Sequence, residues 1–274
     1  MLLSAPMKII YIIFLLVLGG FSLPVNAQLL AHKALYEIHL TTKKSSASIS
    51  NISGKMFYEW KPSCDAWLSM HRYDMLYEYA EMPSVRVTSD FSTYEAFDGK
   101  SFNFNLQRKH DGVLIEEIRG SSDKKQAKYS IPKSLSFQLS EGTLFPTAHT
   151  LAVLEKIRAG DKFYNATIFD GSDADGPADI SSLILSKAEP YNFDASGANH
   201  LDKDLLSTPS WSIRLAFFPL ANFEATADYE MSMTFHENGV IRDMIVDYGD
   251  FSVTHNLIAL EALDDGCLSD INKE

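Results

Sequence analysis

The chain has 274 residues, 46% of them hydrophobic and 12% aromatic, and a formal net charge of −12. That is enough apolar material for a sizeable core in one β unit or two smaller domains. The acidic balance, with no basic arm or patch, argues against nucleic-acid binding and against tight docking to anionic head groups.

The first 27 residues read as an export signal. Lys8 precedes the apolar run Ile9 to Leu18, Gly19-Gly20 follows, and Val25-Asn-Ala27 supplies a small-residue cleavage site. The run is shorter than the roughly 20 residues of a bilayer span, so cleavage before Gln28 is expected instead of an anchor. Residues 28–274 then form a single β-rich domain, and losing Lys8 makes it one charge more negative.

From Leu29 to Leu139 the pattern is that of strands and turns. Alternating segments occupy Ala34 to Leu40, Lys55 to Trp60, Ala66 to Tyr73, Val85 to Phe97, Ser101 to Gln107 and Val113 to Ile118. Asp98-Gly99 and Asp111-Gly112 are type I′ hairpin signals. Successive hairpins at this spacing describe a meander that curls toward a barrel.

A helix is predicted over Pro146 to Ala159. Pro146 suits a first helical position, Lys156 and Arg158 complement the dipole, and Gly160 is a natural stop. Leu144, Ala148, Leu151, Leu154 and Ile157 form its apolar stripe. The expectation is a large β structure in two halves, with this helix packed between or across them. Strands resume at Lys162 to Phe169, Ala178 to Leu185, Trp211 to Phe218, Tyr229 to Phe235, Val240 to Tyr248 and Phe251 to Leu257, while Ala188 to Thr208 reads as loop.

Few residues suggest chemistry. Cys64 and Cys267 are the two cysteines, and an even count in an exported chain suggests a disulfide. Closing a loop of roughly 200 residues would contribute about 5 kcal/mol at most. The rival, a redox dithiol, usually has its cysteines close in sequence. Asp170-Gly-Ser-Asp-Ala-Asp-Gly176 invites a calcium reading, but aligning Gly176 with the EF-hand glycine puts Gly171 at the first ligand position and Ser182 at the twelfth. An acidic hairpin turn explains it better. The eight histidines show no metal-ligand spacing, and His149 on the helix reads as a satisfied or exposed side chain. No nucleophile elbow, dinucleotide fingerprint or phosphate loop occurs, so no cofactor is implied and the chain reads as a non-enzyme. Carboxylate number leaves glycan or peptidoglycan hydrolysis formally open without supporting it. Phe145 and Phe217-Phe218 could line a lipid cavity or simply pack.

The mature chain resembles, over nearly its whole length, the EipB-like cell-envelope integrity proteins of alphaproteobacteria, long catalogued as a domain of unknown function. The resemblance rests on Ala31-His-Lys-Ala-Leu-Tyr36, Gly54-Lys-Met-Phe-Tyr-Glu-Trp60, Ser63-Cys-Asp65, Gly142-Thr-Leu-Phe-Pro-Thr-Ala-His-Thr150, Pro209-Ser-Trp211, Arg214-Leu-Ala-Phe-Phe-Pro219, Asn238-Gly239 and Asp247-Tyr-Gly-Asp-Phe251. It implies a periplasmic, mainly β protein folded as a single spiral-like, broken antiparallel β-barrel with one principal helix. It also implies that Cys64 and Cys267 are the family's disulfide pair, in agreement with the cysteine argument. A periplasmic envelope protein, in particular a tetratricopeptide-repeat protein, is the kind of partner it implies, and it brings no catalytic residues. The leading expectation is a binding protein that supports the envelope; the alternative is a carrier or sensor of a lipid or lipoprotein acyl chain in the barrel interior.

Overall fold

A computed structural model describes residues 29–45, 47–193, 200–220 and 226–264. The expected export segment and Cys267 lie outside the described residues. Fourteen antiparallel strands form one sheet: β1 (His32–Lys43), β2 (Ile49–Pro62), β3 (Ala66–Tyr79), β4 (Val85–Ala96), β5 (Ser101–His110), β6 (Val113–Asp123), β7 (Gln126–Ile131), β8 (Ser136–Gln138), β9 (Phe163–Ile168), β10 (Ala178–Lys187), β11 (Ser210–Pro219), β12 (Tyr229–His236), β13 (Ile241–Asp247) and β14 (Phe251–Ala262). Fully within the described residues, the helices α1 (Pro146–Ala159) and the short α2 (Lys203–Leu206) accompany them.

The spatial order runs from β8 back to β1, then from β14 back to β9. Each half is thus a plain meander, and the two are stitched at the middle by the first and last strands, with Ile38 opposite His255 and His32 opposite Ala262. The expected two halves are therefore one continuous sheet. Its outer strands β8 and β9 do not pair with each other, so the barrel is broken.

Side chains cover the gap that hydrogen bonds leave open. Phe169, just after β9, packs edge-on against Phe104 of β5 (centroids 5.4 Å apart) and against Tyr129 of β7 (6.3 Å). The Tyr129 hydroxyl donates to the Asp173 carbonyl at 2.9 Å. Phe145, immediately before α1, stacks on Phe102 of β5 at 4.9 Å. These rings form a second core beside the main one, which is shared by β1–β3, β10–β14 and the inner side of α1.

Helix α1 spans Pro146 to Ala159 as predicted. Pro146 is at its start, and Gly160 closes it in the left-handed region (φ 78°) with its N–H on the Ile157 carbonyl. The buried positions are Thr147, His149, Val153, Leu154 and Ile157, so the expected stripe is right at Leu154 and Ile157 and otherwise rotated. The helix joins the two open edges, leading from β8 to β9, and packs on β9.

Several boundaries differ from expectation. The gap between the expected strands Ala34 to Leu40 and Lys55 to Trp60 contracts because β1 extends to Lys43 and β2 starts at Ile49. Strands β7 and β8 and helix α2 lie in stretches with no clear apolar period. At Asp111-Gly112 both residues have positive φ (49° and 81°), as a type I′ turn requires. At Asp98-Gly99 only Gly99 does (φ 61°): the loop is wider, with the Asp98 carboxylate accepting from Lys100 N at 2.9 Å.

Candidate functional site

Three neighbouring strands build one wall of an interior cavity by register alone. Along β2, Met56, Tyr58 and Trp60 point to one face, as alternate residues must. Opposite them on β3 stand Tyr73, His71 and Ser69, and on β1 stand Tyr36, Ala34 and His32. The facing wall comes from Met231 and Phe235 of β12, Ile241 and Met244 of β13, and the first turn of α1 through Pro146, Thr147 and Thr150. The cavity is partly open to solvent, and its volume is about 240 Å³. Tyr58, His71 and Tyr73 are deeply surrounded by protein yet keep some accessible surface, which places that surface against the cavity.

The polar groups here are held neutral. His32 Nδ1 donates to the Leu30 carbonyl at 2.7 Å, which leaves Nε2 as a bare acceptor, and that atom has no protein partner. Burial depresses the His32 imidazole despite this bond and takes His71 to about 4. Burial likewise pushes Tyr58 and Tyr73 above the ordinary phenol range. No Asp, Glu, Lys or Arg is among the described residues lining the cavity.

A carboxylate stands just behind it. Glu95 of β4 is 3% exposed, and its two oxygens accept from Thr147 N at 2.7 Å and Ala148 N at 2.8 Å. Phe145 at the N-cap offers no side-chain acceptor, and the first turn has no acid of its own. Glu95 therefore supplies the missing cap from another element. Burial raises its carboxyl pKa, partly offset by the two amide bonds.

The residues singled out from the sequence lie elsewhere. Phe145 is packed in the second core, and Phe217 stacks on Tyr229 at 4.3 Å beside Ile168 and Ile180. Neither lines the cavity, because both point into contacts between sheet layers. His149 is neither exposed nor satisfied: it is buried against Tyr164, its Nε2 lacks a protein partner, and burial takes it to about 4. The acidic turn is the β9–β10 connection. Asp170 accepts from Ser172 N and Oγ at 2.9 Å, Asp173 accepts from Asp175 N at 2.8 Å, and Gly171 lies on the Phe104 ring. Cys64 occupies the β2–β3 turn, while its expected partner is beyond the described residues. The strand alternation through Met56-Phe-Tyr-Glu-Trp60 was the signal that could have placed the cavity, had the register been known.

A second feature lies at one end of the sheet. Strand β7 pairs with β6 only from Arg119 to Ser122, so residues 113–118 have no neighbouring strand on that side among the described residues. Within that free edge Val113, Leu114 and Ile115 are 67%, 47% and 50% exposed. Three consecutive strand residues cover both faces, so this hairpin tip projects beyond the core.

No helix among the described residues is long and apolar enough to cross a membrane, which leaves strands unaddressed. Residues 25–264 match the family described as EipB-like. The cell envelope integrity protein EipB of Brucella abortus (strain 2308) is 29% identical over 255 residues, covering 90% of this chain and 89% of its own. The crystal structure of a beta-barrel-like protein of a domain of unknown function from Brucella abortus superposes with a TM-score of 0.79 at 28% identity, over 86% of this chain and 99% of that one. The broken barrel expected from the resemblance is the fold found.

Proposed function

This chain belongs to the EipB-like family, and on that premise we propose that it is a periplasmic, non-enzymatic protein that maintains the cell envelope by binding another envelope protein. The name of the Brucella relative supports the envelope role. The observation that carries the binding mode is the free edge of β6 from Val113 to Ile118, apolar and exposed at Val113, Leu114 and Ile115. An unpaired strand edge offers a row of backbone donors and acceptors, and soluble proteins normally blunt such edges with charge, proline or a cover. Here Val113, Leu114 and Ile115 at the tip are apolar and exposed, while Glu116 and Glu117 further along the edge are paired with Arg108 and Arg119. The occupant that fits is an extended segment of a partner, which would add a strand to β6 and rest its side chains on Val113 and Ile115.

The acyl-carrier alternative finds less support, since about 240 Å³ of interior space is below the roughly 300–1,000 Å³ of small-molecule sites.

The test replaces Val113 and Ile115 with Lys and Glu. Periplasmic extract is passed over wild-type and doubly substituted protein, and both genes are returned to a deletion strain challenged with detergent and β-lactam. The reading expects loss of a specific protein partner and loss of tolerance, with β6 amides slowed in hydrogen exchange when that partner is added to wild type. Full tolerance and unchanged partner recovery with the double variant would refute it.

A further inference from the structure

The outer face of the sheet carries a groove that the docking reading leaves unused, and the inference drawn from it does not depend on that reading. The groove crosses β3 to β7, is open to solvent and has a volume of about 720 Å³. We propose that it binds a carboxylate-bearing oligosaccharide, laid across the strands with an acidic group over β6 and β7.

Register builds the groove. Leu68, Tyr94, Asn103, Ser121 and Lys128 stand opposite one another on five successive strands. In the next row Ser92 lies opposite Asn105, and Asn105 opposite Arg119. Phe102, Phe104 and Ile118, which alternate with them, are buried in the second core, so these two rows face outward. Five strands span four spacings, about 19 Å, a length that calls for a chain of linked units instead of one small molecule.

The neutral groups suit a sugar. The side chains of Ser92, Asn103 and Ser121 make no hydrogen bond to the protein among the described residues, so two hydroxyls and an amide, able both to donate and to accept, face outward at strand spacing. Sugar hydroxyls also do both. The Tyr94 hydroxyl donates to the Asp65 carboxylate at 2.8 Å, which holds the ring, and with Leu68 that ring offers apolar surface to the C–H face of a sugar. The strand face of the OB-fold serves oligosaccharides in a comparable way.

The charged groups set the class of sugar. The chain has a net charge of −12, yet no Asp or Glu is among the described residues lining the groove, whereas Arg119 and Lys128 are. Lys128 lies opposite Ser121, two residues from Arg119, so the two cations are diagonal neighbours within reach of one ligand group. Arg119 Nε donates to Asn105 Oδ1 at 3.2 Å, which orients the guanidinium, and one Nη lies 3.5 Å from Glu117. The other Nη is left to donate to a carboxylate. Two cations match one or two carboxylates and not the dense phosphates of a nucleic acid.

An array of immobilised carboxylated and neutral glycans tests the idea on the chain from Gln28 onward. Retention should be confined to carboxylated glycans, and methyl esterification of a retained one should weaken its binding about tenfold or more. Arg119→Gln combined with Lys128→Gln should weaken binding of the free acid as much. Both side chains are exposed, so the melting temperature should hold. Asn103→Ala should weaken acid and ester alike, about threefold or more. Tetraglutamate, which carries charge without sugar hydroxyls, should not compete. The proposal is overturned if no carboxylated glycan is retained, if neutral glycans are retained equally, if the double variant binds as wild type does, or if tetraglutamate displaces the glycan at equal concentration. Should the double variant melt lower, the ester ratio and the peptide competition decide.

Discussion

Glu95 and Thr147 lie 52 positions apart in the chain, yet the Glu95 carboxylate accepts the Thr147 amide at 2.7 Å inside the core. The contact joins β4 of the sheet to the start of the only long helix among the described residues, the helix that leads from one open edge to the other. Glu95→Gln keeps the size and one acceptor but turns an NH₂ group toward a helix amide. Loss of a charge-assisted cap bond predicts about 2 kcal/mol of destabilisation, a fall in melting temperature of about 4–8 °C for a domain of this length. Thermal unfolding at neutral pH checks it; a change below a degree would mean that the cap contributes nothing.

Gly171 tests the side-chain closure of the broken barrel. Its φ is 67°, in the region where only glycine is comfortable, and a Cβ there would run into the Phe104 ring. Gly171→Ala should cost about 2–4 kcal/mol through backbone strain plus overpacking. The damage should be local, so amide exchange should rise first along β9 and β10 while β1 and β14 stay protected. Uniform loss of protection would show that the seam opens only with the whole fold.

These two contacts mark where sequence reading ends. The limits of α1 were legible because Pro146 and Gly160 act on their own backbone, and most strands because side chains alternate within a few residues. Glu95 at the helix start, Phe169 on Phe104, and His32 facing Tyr58 depend on partners tens of residues away, and no local period encodes a partner. Strands β7 and β8 were missed for another reason. They are short: β7 alternates buried Ala127 and Tyr129 with exposed Lys128 and Ser130 over only six residues, and β8 has three. The free edge of β6 was hidden because it is defined by where β7 stops.

Acid should act on stability through buried histidines and buried carboxyls, in opposing directions. Five buried imidazoles, His32, His71, His149, His236 and His255, are depressed below 6.5 by burial, the last four to about 4. Their contribution is present above 6.5 and is lost as pH falls toward 4, because the unfolded chain takes up protons that the fold refuses. Three carboxyls run the other way: burial raises Glu95 and Asp170, and burial with the neighbouring Asp170 takes Asp173 to about 6. These favour the fold on acidification, through the window above the ordinary carboxyl range. Histidines outnumber them, so the urea midpoint should fall from pH 7 to pH 4.5, and Asp173→Asn should make that fall steeper. A midpoint that rises with acid would contradict the assignment.

The pairing of Cys64 with Cys267 is a proposal that the sheet geometry makes reachable. Leu263 donates its N–H to the Ala31 carbonyl at 2.8 Å, so the chain leaves β14 beside the start of β1. The turn holding Cys64 follows Pro62, at the same end of β2, since Trp60 lies opposite His32. Two strand spacings, about 10 Å, separate the outer strands, and the four residues from Leu263 to Cys267 can span about 13 Å. A bond there would tie the last strand across the first to the second, at the one place where the two meanders are stitched. Removing it frees a loop of roughly 200 residues in the unfolded chain, a loss of at most about 5 kcal/mol and less if the unfolded chain is compact. Cys267→Ser should therefore melt several degrees lower than wild type in oxidising buffer. Dithiothreitol should bring wild type down to the variant and leave the variant where it was. Thiol titration of the unfolded wild type should find no reactive sulfhydryl before reduction. If the thiols prove bonded and the melting temperatures still coincide, the bond exists but does not hold the sheet together.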